Sequence, residues 1–216
     1  MSNTAKKTKV FKLMIGVFVA LLIVGYGWTR SGKPAATNDT ADAQPATLND
    51  QEQVKSLLIR LYKWKDAHLS GSDFEPVSDE KNSKYVGIDL DKHAARLDVL
   101  KRTAFFSDKF LANYDSIAKA IDRKLKSGEL EWSVGDLPPF GNDANPWCSC
   151  QDYPSANPWD SIVISINSID DKTALLSWTW GDPDWADSFS YNVRAIKSDD
   201  GWKISYLQGF DSNNFS

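Results

Sequence analysis

SIVISINSIDDKTALLSWTW (Ser161–Trp180) and SFSYNVRAIKSDDGWKISYL (Ser188–Leu207) carry the pattern that decides the fold. Side chains of a strand point alternately to its two faces, so a half-buried strand reads apolar at every second residue. Ile162, Ile164 and Ile166 share one face by that rule, as do Leu176, Trp178 and Trp180. The rule continues with Phe189, Tyr191, Val193 and Ala195, and then with Trp202, Ile204 and Tyr206. Asp170-Asp171 and Asp200-Gly201 supply tight turns between successive runs. Four strands in an antiparallel meander are predicted.

Upstream the apolar period lengthens to that of a helix. Phe110, Leu111, Tyr114, Ile117, Ala118, Ile121 and Leu125 form one stripe, with Ser107 placed to cap it and Lys126-Ser127-Gly128 to close it. A shorter helix is predicted over Asp91–Arg102 with Leu97 and Leu100 facing inward. A further helix starts at Asn49, with Glu52 three residues on as a capping-box partner. Val54, Leu57, Leu58, Leu61 and Trp64 follow helical spacing, and Gly71 is the stop. The twenty or so polar residues after Gly71 read as an irregular loop, and Leu130–Asp160, rich in Pro, Trp, Asn and Asp, as a second, long one. Helices first and strands last imply an α+β fold, with helices packed on one face of a curved four-stranded antiparallel sheet. No internal repeat is present.

The chain has 216 residues and a net charge of −4, but its charges are unevenly placed. Six of the 25 Lys and Arg lie in Met1–Lys33, which holds no acid, so the rest carries 19 basic and 29 acidic side chains, a net of −10. That sign repels nucleic acid and anionic lipid and favours basic partners.

Lys6, Lys7, Lys9 and Lys12 precede an uncharged run, Leu13–Trp28. With Val10 and Phe11 added and Lys12 snorkelling, a helix over 10–28 spans about 28 Å, close to a bilayer core. Tyr26 and Trp28 suit the interface. The reading is a signal anchor with residues 1–9 as a cytoplasmic basic tail, 10–28 as a transmembrane helix, 29–49 as a flexible linker and 50–210 as a periplasmic α+β domain. The location is a single pass through a bacterial inner membrane. A cleaved signal peptide is the alternative; the residues after the run, Tyr26-Gly27-Trp28, make a poor cleavage site.

The order of helices and meander, the Gln151-Asp152 step after the Pro/Trp loop, and the closing Asp200-Gly201-Trp202-Lys203-Ile204 resemble the exported domain-of-unknown-function 3828 family. The resemblance covers roughly residues 50 to 210. It implies a cone-like, nuclear-transport-factor-like (cystatin-like) α+β fold, an envelope location and no assigned catalytic residue. Family members are often lipoproteins; this chain departs from them in having an apolar helix instead.

Four groups of residues bear on function. Cys148 and Cys150 are the only cysteines; outside the cytoplasm they read as a disulfide, with free or intermolecular thiols, or redox or metal work, as alternatives. His68 and His93 lie in no metal or nucleophile motif. Asp182, Asp184 and Asp187 surround Trp185; they read as a Pro/Asp-rich turn or as a protein-binding rim, and they miss the spacing of a calcium loop. Among nine tryptophans, Trp178, Trp180 and Trp202 belong to strand faces, whereas Trp132, Trp147, Trp159 and Trp185 lie in loops or at element ends, as partner anchors or as packing. The candidate contact set is Asp152, Trp159, Asp160, Asp182, Asp184, Trp185 and Asp187.

No motif calls for catalysis, a metal or a cofactor. The leading expectation is a non-enzymatic binding protein, an immunity protein that neutralises an envelope-targeting toxin with a basic or apolar surface. An accessory or sensor subunit of an envelope complex, or a small-ligand-binding cone, is the alternative.

Overall fold

Thr47 is the first residue described. A computed structural model describes residues 47–139, 141, 144–153, 157–181 and 189–215. The expected basic tail, the membrane helix at 10–28 and residues 29–46 of the linker expected at 29–49 lie outside the described residues; the last three linker positions, 47–49, instead form the cap and start of the first helix. Among the described residues no helix is long and apolar enough to cross a membrane.

The first helix, α1, is Leu48–His68. Its cap is Thr47 rather than Asn49: Thr47 Oγ1 accepts from the Asp50 amide at 3.2 Å, and Asp50 Oδ2 accepts from the Thr47 amide at 3.4 Å. Tertiary partners fix this choice, because Asp50 Oδ1 also accepts from Lys197 Nζ at 2.6 Å and Trp202 Nε1 at 3.0 Å. The cap thereby ties the helix start to the sheet.

The polar stretch expected as an irregular loop contains an antiparallel pair, β1 (Pro76–Ser78) and β2 (Tyr85–Ile88). Strands of three and four residues are too short to show a period. Their anchors are also remote in sequence: the Ile88 amide donates to Asp122 Oδ1 at 3.0 Å and the Tyr85 amide to the Trp132 carbonyl at 2.8 Å. Helix α2 (Leu90–Arg102) starts on Asp89, whose carboxylate accepts from the Lys92 amide at 3.0 Å. Leu100 is buried and Leu97 partly so.

Helix α3 (Asp108–Ser127) follows the sequence closely. Ser107 caps it, Gly128 closes it at φ 75°, and all seven stripe residues are buried. Each large apolar side chain so buried contributes about 1.5–3 kcal/mol before entropy is counted.

Three helices pack against a four-stranded antiparallel sheet of order β3-β4-β5-β6: β3 Val163–Ile169, β4 Thr173–Thr179, β5 Tyr191–Ser198 and β6 Gly201–Leu207. The alternation holds with one correction. A bulge at Ser205 pairs Ala195 with Ile204 but Arg194 with Tyr206, which flips the rest of β6. Leu207 therefore takes the buried place expected for Tyr206. Tyr206 turns outward under the Arg194 guanidinium at 5.7 Å and donates to Asp211 Oδ2 at 3.0 Å. A second bulge lies at Asn167 in β3.

The two sheet edges differ. β6 is covered by the segment leading into α3: the Ser107 amide donates to the Ile204 carbonyl at 2.9 Å, and the Ile204 amide to the Phe105 carbonyl at 2.8 Å. No segment bonds in this way to the outer edge of β3 among the described residues.

Aromatic side chains fill the space between helices and sheet. Trp147, Trp178, Trp180, Tyr62, Tyr114 and Tyr191 are all under 2% exposed. The chain stays packed beyond residue 210, since Phe210 and Phe215 are buried. Gly209 sits so close to the 146 segment that a Cβ there would lie 1.9 Å from the Pro146 carbonyl oxygen. Its amide donates to the Tyr191 hydroxyl at 3.0 Å, which itself donates to that carbonyl at 2.7 Å.

Candidate partner-binding surface

Of the seven expected contact residues, three lie among the described residues. Asp152 and Asp160 are exposed. Trp159 is not: it is 4% exposed, so its ring is packing and offers a partner little area. Asp182, Asp184, Trp185 and Asp187 lie outside the described residues.

Trp159 is placed by a short 3₁₀ turn, Pro158–Asp160. Its indole stacks on Tyr62 of α1, with centroids 4.1 Å apart and planes 5° apart, and meets Trp178 edge-on at 5.8 Å. The indole N–H donates to the Asp66 carboxylate. Asp66 also accepts from Lys65 Nζ at 3.0 Å, and Lys65 reaches the Tyr153 hydroxyl at 3.0 Å. Burial opposes the charge on Lys65, yet Tyr153 and Asp66 together hold its pKa above the ordinary lysine value. Outside this base, Asp160 pairs with Lys63. The Pro/Trp loop is thus riveted to α1 by a buried indole, and the acids and Tyr153 stay at the surface. Trp132 and Trp147 are also buried, so the loop tryptophans described here all pack inward.

A second cluster centres on Asp73, which stands in no motif. Its Oδ1 accepts from Arg96 Nε at 3.2 Å and the Tyr114 hydroxyl at 3.0 Å; its Oδ2 accepts from Trp147 Nε1 at 2.9 Å. One carboxylate so joins the α1–β1 connection, α2, α3 and the Pro/Trp loop. The donors lie 23 to 74 residues away, and no local spacing can announce that. Beside it a cleft of about 300 Å³ opens, lined by Lys65, Asp73, Phe74, Arg96, Trp147 and Phe215 among others. Arg96 Nη1 donates to the Ser70 carbonyl at 3.0 Å.

Cys148 and Cys150 are joined by a disulfide. Asn145 and Cys150 form an antiparallel bridge around it, and Ser149 takes φ 50° to close so small a ring. The bridge fixes the backbone next to Trp147 and so steadies the Asp73 cluster.

The histidines separate. His68 is exposed, with Nδ1 at 2.8 Å from the Trp64 carbonyl oxygen. His93 is 4% exposed, its Nε2 3.2 Å from Asp115 Oδ1 and its ring stacked on Tyr114. Burial pushes its pKa below the ordinary histidine value, against the pull of Asp115. Among the described residues no three His, Cys, Asp or Glu side chains are grouped to hold a metal ion.

No family model, curated protein or solved structure matches the chain.

Proposed function

We propose that this protein is a non-enzymatic binding protein on the outer side of a bacterial inner membrane, and that it is an immunity protein against an envelope-targeting toxin. The observation that carries this reading is the filled interior. The largest side chains close the space between helices and sheet, which leaves recognition to the surface. The described surface near α1 and the Pro/Trp loop presents Asp152, Tyr153 and Asp160 on an aromatic base. An acidic, rigidly backed surface suits a basic partner. The disulfide supports an oxidising compartment, and the uncharged run Leu13–Trp28, lengthened to 10–28 by a snorkelling Lys12, supports an uncleaved anchor. The bulges at Asn167 and Ser205 bend the two outer strands and so support the curved, cone-like sheet of the resembled family.

The test is a pull-down of the full-length protein from its own membranes, followed by mass spectrometry. A stoichiometric partner that kills when expressed alone, and is harmless when co-expressed, is the expected result. Recovery of resident envelope machinery alone would replace this reading with the accessory role. The cleft beside Asp73 favours a second reading, a small-ligand site. A ligand that raises the melting temperature of the wild type but not of Arg96→Ala would establish it.

A further inference from the structure

The outer edge of β3, to which no segment among the described residues bonds, is built of uncharged residues. From Ser161 to Ile169 the chain carries no charged residue and no proline, in a domain of net charge −10 beyond residue 33. Val163 is 54% exposed, and Ile162, Ile164, Ile166 and Ile169 are only partly covered by the core. An edge strand offers a row of backbone amides and carbonyls to any extended chain beside it, and proteins guard such edges with charge, proline, bulges or a covering segment. Here the β6 edge has its cover, Phe105–Ser107. Among the described residues the β3 edge has only the bulge at Asn167.

Charge sits at both ends of the uncharged run: Asp160, which shares its charge with the exposed Lys63, precedes it, and Asp170-Asp171 follow it. Asp170 is held ionised, since amides of Lys172 and Thr173 donate to it at 2.8 Å and 2.7 Å and lower its pKa. These acids select the occupant. Two copies paired antiparallel about Ser165 would set Asp160 of one against Asp170 of the other, at both ends of the ladder. Like charges directly opposed are destabilising, so self-pairing is disfavoured. A strand with an uncharged middle and a Lys or Arg at each end meets the opposite sign twice.

We infer that β3 is a strand-addition site, at which an extended segment of a partner protein, uncharged in the middle and basic at both ends, adds a fifth strand to the sheet. This rests on the binding-protein reading and names the surface that would do the binding. Main-chain bonds supply affinity in this mode of recognition, and the flanking charges supply register and choice of partner. The uncharged run spans about 30 Å, enough for a six- to nine-residue segment.

The test uses the full-length protein in lipid nanodiscs and three labelled synthetic peptides. One alternates Thr and Val between terminal lysines; the second has glutamate at both ends; the third has proline at its centre. The lysine-ended peptide should bind about tenfold more tightly than the glutamate-ended one, by fluorescence anisotropy. It should also slow amide hydrogen exchange across residues 162–168, while the proline peptide does neither. The double variant Asp160→Asn/Asp171→Asn, both exposed positions, should bring the charged peptides to within about threefold of one another. Equal binding of the two charged peptides to the wild type, or no protection of β3, overturns the proposal. A protected β3 edge without peptide, together with a dimer in light scattering, overturns it in favour of a second copy. If the peptides fail while the pull-down returns a toxin, the binding function stands and its surface lies elsewhere.

Discussion

Ala104 has φ 57°, a conformation that costs an L-residue with a Cβ about 1–2 kcal/mol. The strain has a visible cause. Thr103 Oγ1 donates to the Leu100 carbonyl at 2.7 Å and accepts from the Phe105 amide at 3.2 Å, so the chain reverses within one residue and Phe105–Ser107 reaches the β6 edge. Ala104→Gly should raise stability by about 0.5–1 kcal/mol in urea unfolding, the relief of strain exceeding the added unfolded-state entropy. No gain would mean that the strain at Ala104 does not exceed that entropy cost. Asp73 belongs to the same scale. Asp73→Ala leaves Arg96, which is 15% exposed at the side chain, beside a lost counter-charge and strands the Trp147 N–H. The expected loss is about 3 kcal/mol, or roughly 6–12 °C in melting temperature. Asp73→Asn keeps an acceptor and should lose clearly less. Equal losses would show that shape, not hydrogen bonding, is what Asp73 supplies.

Among the elements, α3 shows local and tertiary requirements in agreement. Its cap, apolar stripe and closing glycine were all legible, because each acts within one or two turns. Ser107→Ala removes the bond to the Phe110 amide, 3.4 Å long, and should cost about 1 kcal/mol by equilibrium unfolding. A larger loss would show that the Ser107 hydroxyl also steadies the β6 edge. α1 illustrates the opposite case. Two capping boxes overlapped in Thr47-Leu48-Asn49-Asp50-Gln51-Glu52, and the sheet chose between them through Lys197 and Trp202. Similarly, the strand period located β6, but the bulge at Ser205 decided that Leu207 and not Tyr206 enters the core. A bulge inserts one residue and leaves no mark on composition, so alternation alone misassigns every position after it.

For the molecule as a whole, the titrating groups define a pH window. Hydrogen bonds from Lys197 and Trp202 hold Asp50 well below the usual carboxylate range; burial opposes the charge on Asp122, but Lys126 and the Ile88 amide lower its pKa. A depressed folded pKa means stability that is present above the unfolded value and lost as pH falls through the folded one. His93 is depressed as well, so its share is lost first, below the unfolded histidine value of about 6.5. At the other end, burial raises Tyr62, Tyr114 and Tyr191. A raised folded pKa gives stability that is present below the unfolded value, about 10 for tyrosine, and lost above it. The melting temperature should therefore be flat between about pH 7 and 10, fall gently below about 6.5 and steeply below about 4. His93→Gln should remove the gentle fall and leave the steep one. An unchanged profile in that variant would place the acid-sensitive group elsewhere.

The sequence by itself determined the fold class, the antiparallel meander, α3 and the direction of the chain from helices to strands. These follow from periodicities of 2 and 3.6 residues, which a reader of the chain sees without knowing what it packs against. Only the tertiary structure decided that the described tryptophans of the Pro/Trp loop are packing, that Asp73 gathers four segments, and that one sheet edge is covered while no described residue bonds to the other. Each of these depends on groups tens of residues apart coming within about 3 Å, the range at which a hydrogen bond acts. Sequence spacing carries no information on that scale.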